Sequence, residues 1–364
     1  MRIGMDVRKY SDFGIGTYIQ NLLHEFDSKL QHDLVLFAMP DEARLIASRH
    51  RGTVVENSSG KYSLSELFTL SMQSRKMRCD LFHAPHYTLP LFASGKKVVT
   101  IHDLIHLHFP EHYGAAQRWY ANKVMSRACS AADAIVTDST FTKEDLIQTF
   151  SVRPEKIHVI HLGVSPGFSP IHADVTTGRE EGTPETPYVL YVGSLKPHKN
   201  VPVLLKAFAE LSDLPQLRLV ISGEEIQEYP VLASMIAELG IGTRVISAGR
   251  KTRQQLVGLY QKATVVVLPS LYEGFGFPIL EAMACGVPVI GARTTSIPEV
   301  MGEGGLLFDP LDPSELAGLI RRLFLEEDLR RSQRAYGLLN VTRFSREECA
   351  LKTIGLYESL VPGV

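Results

Sequence analysis

The sequence predicts an α/β protein of two doubly wound domains with parallel sheets, and three observations predict it. Short β-branched runs alternate with helical patterns along the chain, the signature of a sheet covered by helices on both faces. The alternation is interrupted once, at 163–187, by "GVSPGFSPIHADVTTGREEGTPETP", a stretch rich in Gly, Pro, Thr and charge with no apolar period. It then restarts with the same grammar. At 364 residues, 45% hydrophobic and 21% charged, the chain is large enough for two cores. The expected division is 1–165, a linker at 166–187, 188–344, and a terminal helix at 345–364.

In the first half, "RIGMDV" reads as a strand, Gly16 to Phe26 as a helix and "DLVLFAMP" as a strand. "KKVVTIHDL" and "DAIVTDS" are later strands, each leading through a loop into a helical pattern. The second half offers "YVLYVGS", "LRLVISG", "RVISAG", "TVVVLPS", "VPVI" and "GLLFD", with helices between. In such sheets ligands bind beyond the carboxyl ends of the strands, and two facing domains would enclose a cleft. The last segment, "SREECALKTIGLYESLV", places Ala350, Ile354 and Tyr357 near helical spacing. It either caps its own domain or crosses back to the first.

Composition excludes several classes. The net charge of -2 argues against general nucleic-acid binding, which rests on neutralising phosphates. No apolar run approaches the roughly 18 residues that span a bilayer, and "MRIGMDV" lacks the form of a secretory signal. The expected location is cytoplasmic. Cys79, Cys129, Cys285 and Cys349 are far apart and read as reduced core thiols. Twelve of the 13 histidines precede residue 184 and only His198 follows it. Either they are half-buried polar surface, or they line a polar acceptor cleft.

The richest segment is "SLYEGFGFPILEAMACGVPVI", Ser270 to Ile290. Pro278 suits the first turn of a helix, and Gly286 suits its end. The segment is then strand, loop, short helix, strand, with Glu273 on the loop and Glu281 in the first helical turn. A charge there is favourable in its own right. Lys199 follows the strand "VLYVG" and precedes "VPVLLKAFAEL". It is either a solvated surface lysine or a cation for a bound anion. "DFGIGTY", Asp12 to Tyr18, opens a helix with a glycine loop, but Ile19 stands where a dinucleotide fingerprint needs its third glycine. A plain tight turn is the other reading of Gly14 and Gly16.

The segment from Tyr272 to Ile290 resembles the signature of the retaining glycosyltransferases of family 4. It has two glutamates separated by seven residues, Gly-Phe-Gly-Phe-Pro between them and Ala-Met-Ala-Cys-Gly-Val-Pro-Val after them. "GIGTY", "HDL", "YVGSLKPHKN" and "LLFDPLDPSEL" fall in the family's order, so the resemblance runs nearly the full length. It implies the GT-B fold, two facing Rossmann-like domains with an interdomain cleft. It also implies that Glu281 binds the nucleotide ribose hydroxyls, that Glu273 approaches the donor sugar, and that His102 contacts that sugar. Asp103 is expected as a helix cap or as the orienting partner of His102. Lys199 and the backbone of Gly274, Phe275, Gly276 and Phe277 would stabilise the departing diphosphate. Gly14 and Gly16 would let backbone approach donor phosphate and acceptor.

Many family members carry arginine where this chain has Ser194. Ser194 supplies a hydrogen bond but no charge, and Arg250 is the candidate replacement cation. No Asp-x-Asp pair lies in a plausible loop, so the expectation is metal-independent transfer without a cofactor, by front-face attack with retention. GDP-mannose is the favoured donor, from the likeness to mannosyltransferases, with UDP-glucose as the alternative. The acceptor is expected to be a glycan or glycolipid held by the first domain. Arg75, Lys76 and Arg78, and Arg118, Lys123 and Arg127, stand among apolar residues that would suit a peripheral contact with anionic lipid, or form solvated basic faces. A sugar nucleotide epimerase and a non-catalytic nucleotide-sugar binding module are the rival readings.

Overall fold

The structure is a computed structural model that describes residues 1–60, 64–90, 92–110, 114–171 and 185–363. The chain forms two compact units, Met1–Gly163 with Ser345–Val364, and Val164–Phe344. Of the expected linker, 172–184 lie outside the described residues. The residues before them pack within the second unit: Phe168 is buried edge-on against Tyr260. An apolar side chain in a Gly- and Pro-rich stretch was enough to dock it.

In the first unit the elements run β1 (Arg2–Asp6), α1 (Ile15–Lys29), β2 (Asp33–Ala38), α2 (Pro40–Arg49), β3 (Thr53–Glu56) and α3 (Leu64–Lys76). They continue with β4 (Leu81–Ala84), β5 (Lys96–Thr100), α4 (Ile105–His108), α5 (Ala115–Ala131), β6 (Ala134–Thr137), α6 (Thr140–Phe150) and β7 (Ile157–Val159). The sheet order is β3-β2-β1-β4-β5-β6-β7, with every pairing parallel. Its strands β2, β4 and β6 are buried on both faces, as helices on each side require. Helix α1 forms because Ile19, Leu22, Leu23 and Phe26 give one buried stripe at helical spacing. Three short strands, β3, β4 and β7, add to those legible in the sequence.

The second unit contains β8 (Tyr188–Gly193), α7 (Val201–Ala209), β9 (Arg218–Gly223), α8 (Pro230–Glu238), β10 (Val245–Gly249), α9 (Arg253–Lys262) and β11 (Val265–Leu268). It continues with α10 (Phe277–Ala284), β12 (Val289–Ala292), α11 (Ile297–Met301), β13 (Leu306–Phe308), α12 (Pro313–Leu325) and α13 (Glu327–Asn340). Its order, β10-β9-β8-β11-β12-β13, is the doubly wound one, with the direction of winding reversing between β8 and β11. The crevice for a ligand therefore opens between the loops that follow those two strands. Helix α10 ends as its sequence dictates: Gly286 takes φ 70°, its amide donates to Met283, and Val287 N donates to Ala282 O.

The last helix, α14 (Arg346–Leu360), belongs to the first unit and packs on α1. Ala350, Ile354 and Tyr357 are its buried face, with Tyr357 edge-on to Phe26 at 6.1 Å between centroids. Burying such side chains stabilises by about 1.5–3 kcal/mol each for the larger ones. Among the described residues no helix is long and apolar enough to cross a membrane. All four cysteines are buried and free.

Candidate active site

In the second unit, the loops after β8 and β11 bring two predicted residues into contact. Lys199 Nζ donates to Glu273 Oε1 at 2.7 Å, with the side chains 20% and 12% exposed. Ser270 Oγ donates to the same oxygen at 2.6 Å. Two backbone bonds hold the loop: Glu273 N donates to Thr295 Oγ1 at 3.1 Å, and Ser296 Oγ donates to Glu273 O at 2.9 Å. A third links the loops, from Leu271 N to His198 O at 2.8 Å. Lys199 and Glu273 are thus a braced pair at the switch point.

Gly274, Phe275 and Gly276 are buried, and Gly276 caps α10 with φ 108°. The Phe275 ring packs edge-on against Phe277 and Phe344, so the part of Phe275 suited to a ligand is its backbone. Glu281 is not in the first turn of α10. The helix begins at Phe277, which makes Glu281 its fifth residue, and no acidic side chain stands in the first turn. Proximity to the helix N-terminus therefore does not account for it. Burial pushes its carboxyl up to about 7, although Tyr260 Oη donates to Glu281 Oε2 at 2.8 Å.

Ser194 follows β8, its carbonyl accepting from Tyr191 Oη at 2.5 Å. Beside it Leu195 N and Tyr229 Oη donate to Glu224 Oε2 at 2.8 and 2.5 Å. Exposed Arg250 is coupled electrostatically to Glu224, as is Lys196. Sequence reasoning singled out neither Glu224 nor Lys196. Two charged residues within three positions of the ends of β8 and β9 were the available signal.

In the first unit, His102 follows β5. Its Nδ1 lies 2.5 Å from Asp138 Oδ2 and its Nε2 3.1 Å from Pro85 O. A carbonyl oxygen only accepts, so Nε2 carries a proton, and the Asp138 side chain facing Nδ1 favours the doubly protonated ring. Burial opposes that charge, but Asp138, with smaller contributions from Asp103 and the Pro85 carbonyl, outweighs it and holds His102 above the ordinary range. The orienting partner is therefore Asp138, not Asp103. Asp103 instead accepts from Ile105 N at 3.1 Å, at the start of α4. A loop after β6 supplies Asp138, and only the adjacency of β5 and β6 brings the two together.

Gly14 is exposed, with φ 28° and open space around its Cα. Gly16 is buried, and a Cβ there would lie 2.5 Å from Tyr10 O. Gly16 is thus required by the packing of its own loop. At the β1–β4 switch point lies a cluster the sequence reading missed. Arg8 donates to both oxygens of Asp6 at 2.9 and 2.8 Å and to Glu66 Oε2 at 3.0 Å. Arg8 is 2%, Asp6 8% and Glu66 1% exposed. His86, after β4, is buried nearby and held below the usual imidazole range by burial and by the charges of Lys9 and His102. The histidines divide: His83, His86 and His102 cluster at the β4 and β5 ends, whereas His50 pairs with Asp27 and His32 with Glu358.

Two family models match the chain: Glycosyl transferases group 1 over residues 177–338, and Glycosyltransferase Family 4 over residues 14–168. The chain is 32% identical to the O-antigen chain mannosyltransferase B of Escherichia coli over 287 residues, 77% of this chain and 74% of that protein. It is 34% identical to the D-inositol 3-phosphate glycosyltransferase of Corynebacterium jeikeium over 249 residues, 64% of this chain and 58% of that one. Among solved structures, the Anabaena Alr3699/HepE protein in complex with UDP and glucose superposes with a TM-score of 0.80 at 20% identity, covering 99% of this chain and 100% of that one.

Proposed function

The chain belongs to glycosyltransferase family 4 and is a glycosyltransferase of the GT-B fold; on that premise we propose that it transfers mannose from GDP-mannose to a glycan or lipid-linked glycan acceptor, with retention and without a metal. The observation that carries the reading is the Lys199–Glu273 pair at the β8–β11 switch point. A sugar nucleotide loses a diphosphate, and an ammonium held at the strand ends, with the amides from Gly274 to Phe277, meets the charge that grows on the leaving oxygens. Glu273, once Lys199 turns to the diphosphate, accepts from a donor-sugar hydroxyl. Glu281 accepts from the ribose hydroxyls, and Tyr260 keeps its carboxylate aimed. His102, anchored by Asp138, contributes its contact to the sugar.

Mannose as the sugar is supported by the E. coli relative, which is named a mannosyltransferase. UDP-glucose remains the alternative, supported by the neighbour crystallised with UDP and glucose. Calorimetric titration with GDP and UDP in EDTA, beside Lys199→Ala, tests the proposal. Preference for GDP that is lost in the variant is the expected result. Preference for UDP overturns the donor, and binding that survives in Lys199→Ala overturns the phosphate site. Full-rate consumption of donor with no acceptor present would favour an epimerase.

An acceptor on a lipid carrier would be met at the membrane surface, and one helix face supports that part of the proposal. Phe68 and Met72 on α3 are 51% and 73% exposed, and Phe92, 51% exposed, lies 6.4 Å from Phe68 between ring centroids. Arg75 and Lys76 continue the same helical stripe. Apolar anchors beside cations suit an anionic bilayer surface. The cytoplasmic side of the membrane is the location this reading carries with it.

A further inference from the structure

Four polar side chains lie in the core of the first unit on four different elements. Tyr18 of α1 is 2% exposed, and His83 of β4, Thr100 of β5 and Tyr357 of α14 are each 0% exposed. Buried polar groups need partners, and these supply one another. Tyr357 Oη lies 2.6 Å from His83 Nδ1, His83 Nε2 lies 2.8 Å from Thr100 Oγ1, and Thr100 Oγ1 lies 3.1 Å from Tyr18 Oη. Burial and the neighbouring charge of His102 hold His83 down to about 3, so it stays neutral, with one donor and one acceptor. One side of the ring must receive a proton while the other gives one. The relay therefore has a direction, and losing an end group leaves its neighbour unsatisfied.

The relay ends against the candidate site. The Tyr18 ring is T-shaped to His102, 5.1 Å between centroids at 80°, while Asp138 and Pro85 hold the two ring nitrogens. Tyr18 is one turn into α1, and its hydroxyl is held by Thr100. An apolar ring would fill the same volume, whereas the hydroxyl chain fixes where the ring edge lies.

We propose that Tyr357 and His83 are positioning residues: through Thr100 they hold Tyr18 against His102, so that the terminal helix of the chain sets the orientation of the imidazolium. The inference rests on the reading that His102 serves the donor sugar.

The test uses the full chain with Tyr357→Phe, and Tyr18→Phe as a second hydroxyl deletion should the first fail to fold. Two readouts are taken: the midpoint of the His102 ring by 15N–1H NMR, assigned with His102→Gln, and the slow hydrolysis of GDP-mannose without acceptor. The expected result is a roughly tenfold fall in kcat with KM within about twofold. The His102 midpoint moves down toward the ordinary imidazole value as its geometry with Asp138 loosens. Added to His102→Gln, Tyr357→Phe costs no further activity. A variant that melts earlier but keeps both the midpoint and kcat overturns the inference and leaves the role of His102 standing. Equal losses in the two backgrounds also overturn it. If His102→Gln itself hydrolyses donor at the full rate, the reading of His102 fails and this inference fails with it.

Discussion

Lys199 and Glu273, 74 positions apart in sequence, share a 2.7 Å ion pair because β8 and β11 are neighbours where the sheet reverses its winding. On the proposed function, the pair is the resting state of an exchange. A diphosphate offers Lys199 a stronger partner, and a sugar hydroxyl offers Glu273 a donor in its place.

Substituting either partner separates their roles. Lys199→Ala should weaken nucleotide diphosphate binding by about tenfold or more and lower turnover by about 10²-fold or more, the scale for losing one preorganised charge contact. Glu273→Gln releases Lys199, so nucleotide binding should hold or tighten while turnover falls by a similar factor. Calorimetry and a coupled assay read the two effects separately, and EDTA should change neither. Loss of nucleotide affinity in Glu273→Gln would contradict the exchange.

Glu281 predicts a pH dependence. Its carboxyl is pushed up to about 7 by burial, and ribose hydroxyls need an acceptor, so binding favours the ionised form. Bound nucleotide must therefore lower that value. Affinity then rises with pH, by at most about tenfold per unit, and levels off above about pH 7. Glu281→Gln should bind more weakly at pH 8 and show a flat profile from pH 5.5 to 8. Retention of the wild-type slope in the variant would assign it to another group.

The face of α3 makes a prediction independent of catalysis. The chain should float with vesicles rich in phosphatidylglycerol and not with neutral phosphatidylcholine vesicles. Phe68→Ser with Met72→Ser should abolish flotation. Arg75→Glu with Lys76→Glu should reduce it by about thirtyfold or more, at roughly 1 kcal/mol per cation near the surface. Equal flotation of all variants would exclude this face.

Legibility differed between the units for physical reasons. "YVLYVGS" and "TVVVLPS" are long or strongly β-branched, and each strand of the second unit was readable. In the first unit "LFHA" is four residues long and carries a histidine, "TVVE" is half exposed, and "IHV" has three residues. Missing β4 hid the β1–β4 switch point, and with it Arg8 and His86. Single residues of the site were legible, since Lys199, Glu273 and His102 each follow a strand. Their partners were not: Asp138 reaches His102 only because β5 and β6 pair. Glu281 was misplaced by part of a turn because α10 starts at Phe277, one residue ahead of Pro278, with Gly276 at φ 108° as its cap.

The last prediction concerns Arg8, whose charge is enclosed with those of Asp6 and Glu66 at the β1–β4 switch point. Arg8→Met removes the cation and leaves two carboxylates buried together, which costs about 3–5 kcal/mol. Even with Arg8 present, burial holds the Glu66 carboxyl above its ordinary range. A carboxyl raised in the folded state binds more protons there than in the unfolded chain, so its contribution falls as pH rises from the unfolded value through the raised one. Removing Arg8, whose charge opposes the effect of burial on Glu66, raises the Glu66 carboxyl further and widens that window. Urea unfolding at pH 5 and pH 8 should therefore show a deficit for Arg8→Met that grows with pH. Adding Glu66→Gln should recover part of the deficit, mostly at pH 8, because it removes one of the two uncompensated charges. A deficit independent of pH would mean that Arg8 stabilises the fold by packing its guanidinium and stem, and that the carboxylates stay satisfied without it.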